Sequence, residues 1–72
     1  MNKFLDEMRS KGFNLYFCYM PETCMIRIMV TKRLKDVTKD FPREILANEF
    51  GLRLEIRQMA DELDKILERE KK

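Results

Sequence analysis

The side chains able to do covalent chemistry in this sequence are two thiols, Cys18 and Cys24, and thirteen carboxylates, and there is no histidine for them to work with. A cysteine nucleophile needs a base to hold it as thiolate, and histidine is the usual one. A structural zinc site needs four ligands, almost always cysteine and histidine, so two cysteines fall short. The carboxylates lie mostly along one charged, helical stretch, and no glycine-rich loop exists to cradle a phosphate. The expectation is therefore no catalytic residue, no metal and no cofactor. The protein is expected to act by binding, with Cys18 and Cys24 as free thiols of a hairpin.

The second chemistry on offer is phosphate contact. Lys32, Arg33, Lys35, Lys39 and Arg43 put five cations against two carboxylates in residues 32–43, whereas the chain before holds four against three and the chain after six against eight. Such a patch is a nucleic-acid candidate. Asp36 and Asp40 dilute it, and a solvated linker is the plainer reading. Two DNA-binding patterns come near this sequence. Ala47 to Gly51 has the Ala-x-x-x-Gly look of a helix-turn-helix, but the buried apolar position six residues later is Arg57. A ribbon-helix-helix hinged at Gly51 would send Met25, Arg27, Met29 and Thr31 into the groove. The gap before Pro42, the lack of a capping hydroxyl at Leu52-Arg53 and the spare strand at 13–20 all speak against it.

The elements that position these residues follow from hydrophobic spacing. Asn2 to Lys11 reads as a short helix with Phe4, Leu5 and Met8 on one face and Gly12 as its stop. The aromatic run 13–20 and the β-branched run 24–31 read as a hairpin around Pro21-Glu22-Thr23. Matching the row Phe13, Leu15, Phe17, Tyr19 to the row Cys24, Ile26, Ile28, Val30 requires an even-numbered loop, most simply Pro21-Glu22. That register puts the two cysteines on opposite faces, where no disulfide can join them. Residues 32–40 read mostly as loop, with a helical turn or a short third strand left open. From about 42 to 70 the spacing predicts one long helix, capped by Asp40, started by Pro42 and open to a bend at Gly51; two helices broken there is the alternative. The fold class is α+β: a short helix, an antiparallel hairpin and a long helix in a single domain.

Two surfaces stand out from this arrangement. A helix of that length spans about 43 Å and the hairpin about 27 Å, so the C-terminal half should overhang its sheet. Its narrow seam of Ile56, Met59, Leu63 and Ile66 is then the candidate for self-association, giving a homodimer or higher homo-oligomer. Folding back onto the N-terminal helix is the competing use. The other surface is the second face of the hairpin, where Tyr16, Met20, Met25, Arg27 and Met29 are too apolar for open water. Methionine and tyrosine suit a partner-binding surface; a covering by the short helix is the alternative.

The chain is short for a sizeable core, has 39% charged residues, and shows neither a secretory leader nor a membrane-length apolar run. A cytoplasmic protein with reduced thiols is expected. Chains this small, charged and free of motifs are common among phage and mobile-element accessory factors, including inhibitors of host enzymes, an association with no particular residue behind it. The reading is a non-enzymatic protein-binding module or inhibitor that associates with itself, without membrane contact. A nucleic-acid-binding regulator is the alternative.

Overall fold

A computed structural model describes residues 2–70. The order is α1 (Asn2–Ser10), β1 (Asn14–Met20), β2 (Met25–Lys32), β3 (Lys35–Pro42), a 3-10 turn (Arg43–Ala47) and α2 (Glu49–Glu70). The three strands form one antiparallel sheet in sequence order, and the class is α+β as the hydrophobic spacing predicts.

The first helix ends as its sequence dictates. Gly12 takes φ 92°, a left-handed conformation in which a side chain would be strained. The Gly12 N–H then donates to the Arg9 carbonyl at 2.9 Å and the Phe13 N–H to the Met8 carbonyl at 3.0 Å. This is the paired closure of a Schellman cap, with its usual apolar partners Met8 and Phe13 both buried.

The hairpin keeps the predicted faces but not the predicted loop. Leu15 pairs with Val30, Phe17 with Ile28 and Tyr19 with Ile26, so the two apolar rows do share one side of the sheet. The connection is four residues, Pro21 to Cys24, instead of two. Lengthening it by two preserves the parity that decides the faces. Cys24 consequently leaves the strand and sits in the loop at φ 56°, while both cysteines are free and exposed.

Residues 35–42 are a third strand, which corrects the expectation of a loop. Only Val37 and Phe41 of this strand point their apolar groups at the core, with Lys39 between them. The outer edge of a sheet favours such a sequence, because charge and Pro42 discourage further pairing. The β2–β3 turn is Arg33-Leu34, between the paired residues Lys32 and Lys35. Arg33 stands at φ 58°, a position where a β-carbon costs about 1–2 kcal/mol. Arg33→Gly should therefore stabilise the chain by about 1 kcal/mol, read from urea or thermal unfolding. No change or a loss would show that the Arg33 side chain holds the turn in some other way.

The C-terminal helix is shorter than the spacing predicts. It starts at Glu49, because Pro42 and Asp40 belong to β3 and residues 43–47 wind as a 3-10 turn. The break is at Asn48, not at Gly51. The Asn48 Oδ1 accepts from the Gly51 N–H at 3.1 Å and its carbonyl from the Leu52 N–H at 2.9 Å, an N-cap geometry. Gly51 is small for this reason: a β-carbon there would lie 2.7 Å from the Asn48 side-chain nitrogen.

The 22 residues of α2 span about 33 Å, and its C-terminal end stays over the sheet, with Leu67 in the core and Glu70 bonded to Lys35. Both helices pack on the same side of the sheet. They enclose a single core of Phe4, Met8, Phe13, Ile26, Ile28, Val30, Leu52, Ile56, Met59, Ala60, Leu63 and Leu67. The molecule is two layers, 40 × 26 × 15 Å.

Candidate protein-binding face

With both helices on one side, the other side of the sheet is bare. The strand registers fix what it displays. Reading across β1, β2 and β3, the rows are Asn14–Thr31–Asp36, Tyr16–Met29–Thr38, Cys18–Arg27–Asp40 and Met20–Met25–Pro42. None of these twelve residues is buried. The five residues singled out from the sequence, Tyr16, Met20, Met25, Arg27 and Met29, are thus brought together on one surface.

The chemistry of this surface is mixed by design of the register. Arg27 lies at its middle and makes a two-pronged bond to Asp40, Nε to Oδ1 at 2.8 Å and Nη2 to Oδ2 at 3.2 Å. Bonding to Arg27 holds the Asp40 carboxyl below its usual range, and the same bond raises Arg27. The ion pair fixes the guanidinium between two apolar patches. On one side are Tyr16, 54% exposed, and the half-buried Met29. On the other are Met20 and Met25, both half-buried, against Pro42. A surface that sets tyrosine, methionine and arginine beside one polar end row of asparagine, threonine and aspartate has the composition of a protein interface.

The part of this site on β3 was not legible from the residues alone. Asp36, Thr38, Asp40 and Pro42 enter it only because residues 35–42 form a strand. The signal was the alternation Asp36-Val37-Thr38-Lys39-Asp40-Phe41, in which Val37 and Phe41 have the spacing of one strand face.

The self-association seam is corrected. Ile56, Met59 and Leu63 are completely buried beneath α1 and against the sheet of the same chain, and Ile66 is half-buried. Leu67, beyond the seam, is buried in the same core. The alternative use, folding back within one chain, is the one found.

The basic candidates are scattered in role. Lys32 reaches Asp64 at 3.1 Å while lying over the Phe13 ring at 4.6 Å. Lys35 bonds Glu70 at 2.8 Å, which raises its pKa, and Lys39 faces Glu62 at 3.8 Å. Three of the five cations are therefore matched to carboxylates of α2. Arg33 is at the exposed β2–β3 tip and Arg43 in the exposed 3-10 turn, so the patch does not present one continuous face to a phosphate backbone.

Among the described residues, no group of three or more histidine, cysteine, aspartate or glutamate side chains could hold a metal ion, and no helix is long and apolar enough to cross a membrane. Compared with known proteins, the chain matches no family model, no curated protein and no solved structure.

Proposed function

We propose that the protein is a non-enzymatic protein-binding module, an inhibitor or adaptor working in the cytoplasm, and that its contact surface is the bare face of the sheet. The observation that supports this reading is the one-sided placement of the helices. It leaves Tyr16, Met20, Met25 and Met29 in water around the Arg27–Asp40 pair. Large apolar side chains gathered on a solvent face are unfavourable unless something covers them. Methionine adapts its shape to a partner, while tyrosine and arginine supply anchors.

The competing reading, a nucleic-acid regulator, loses support from the ion pairs of Lys32, Lys35 and Lys39. A phosphate would have to displace the carboxylates Asp64, Glu70 and Glu62 to reach them. The two readings separate in one experiment. The intact chain and its Met25→Asp/Met29→Asp variant are compared in affinity capture, beside a Lys32→Ala/Arg33→Ala/Lys35→Ala variant on heparin and DNA. Far-UV circular dichroism checks the fold of each. Loss of captured protein with the aspartate pair, and no DNA retention to lose with the alanine set, is the expected pattern. Unchanged capture by the aspartate variant would remove the bare face as the site, and strong DNA retention abolished by the alanines would install the other reading.

A further inference from the structure

The sheet has two edges, and they differ in kind. The β3 edge carries Lys35, Asp36, Lys39, Asp40 and Pro42 and so resists pairing. The β1 edge, Asn-Leu-Tyr-Phe-Cys-Tyr-Met, has no charge, no proline and no glycine over seven residues. A row of its backbone N–H and C=O groups has no strand to meet. A groove of about 410 Å³ runs beside this edge, lined by Leu5 and Arg9 of α1 and by Phe13 to Phe17. Further along the same strand the helices give no cover: Phe17 is 43% and Tyr19 47% exposed, although both lie on the helix side of the sheet.

We propose that a second copy of this chain occupies the β1 edge, joining two three-stranded sheets into one antiparallel six-stranded sheet across a two-fold axis at Phe17. Symmetry sets the register. Only every second residue of an edge strand turns its backbone groups outward, so two identical antiparallel edges must pair residues of equal parity. The axis then passes through a residue, and full overlap of Asn14–Met20 selects Phe17. Tyr19 of one copy stands opposite Leu15 of the other, under the wall made by Leu5 and Arg9. The exposed aromatic of each copy fills the groove of its mate, and the two Phe17 rings meet at the axis. No like charges oppose each other anywhere along the strand. Pairing over seven residues gives about six to eight hydrogen bonds, within the range of a standard interface. This association is independent of the bare face, which stays open and doubles in area.

Sedimentation equilibrium of the full chain tests it. The wild type is expected to be a dimer at micromolar concentration. Phe17→Lys and Phe17→Glu each place two like charges opposite one another, and each should weaken self-association about tenfold or more. An equimolar mixture of the two should dimerise again. A monomeric wild type, or a Phe17→Lys chain that is folded and as dimeric as the wild type, overturns the proposal. A near-wild-type measurement stands beside these variants in case they unfold. With Cys24→Gly, the only thiol is Cys18, whose copies lie diagonally across the axis at about 7–8 Å. A short bis-maleimide should then link two chains through Cys18, and failure to link them also overturns the proposal.

Discussion

Leu63→Ala should lower the stability of the folded chain by about 2–5 kcal/mol, the range for removing a fully buried leucine. A domain of this length is held by about 4–11 kcal/mol in total, so the loss takes away a large part of it. Leu63 is fully buried, as are its neighbours on the same stripe, Ile56 and Met59. They sit where α2 meets β2 and α1, and with one layer of side chains between helices and sheet, no second layer can relax into the void. Urea unfolding of the variant measures the effect. A loss below about 1 kcal/mol would mean that the helix stripe is surface after all, as an intermolecular seam would require.

Phe13→Ala should cost about 3–5 kcal/mol, and its effect should be uneven across the molecule. Phe13 closes the Schellman cap of α1, is buried at the start of β1, and carries Lys32 on its ring. Truncating it removes the apolar partner of Met8 and the surface under the Lys32 ammonium together. The helix α1 has few other attachments: Phe4 beneath Arg57 at 5.1 Å, and the Glu7–Arg57 pair at 3.2 Å, an exposed bond that contributes little. Native-state hydrogen exchange should therefore show α1 amides losing protection well before those of β2. Equal loss in both elements would show that α1 and the sheet open as one unit.

Much of the architecture was readable because local and global signals agreed. The Gly12 stop, the alternation of Ile26, Ile28 and Val30, and the helical spacing of Leu52, Ile56, Met59 and Leu63 each point to the element that forms. What escaped was written in residues with two meanings. Lys35 to Pro42 is polar enough for a loop, and its turn lacks the glycine or asparagine that marks a tight hairpin, since Arg33 and a 99% exposed Leu34 stand there instead. Pro42 and Asp40 suit a helix start as well as a strand end. Asn48 was the better cap, and Gly51, three residues on, was its trace. The missing strand also explains the corrected seam. A third strand widens the sheet under α2 and brings β3 up to Glu62 and Glu70, so the helix is covered to its last described turn.

The same chain order shapes the entropy of folding. The strand pairs, β1 with β2 and β2 with β3, are each adjacent in sequence. Joining them closes only short loops, which restricts the unfolded chain little. The helix contacts are the exception: α2 packs on β2, with the bonded Lys32 and Asp64 32 residues apart, and α1 meets α2, with Glu7 and Arg57 50 residues apart. The configurational cost of closing this protein into a globule therefore falls mostly on docking the two helices, and its longest closure on one short helix held by Phe4, Met8 and Arg57.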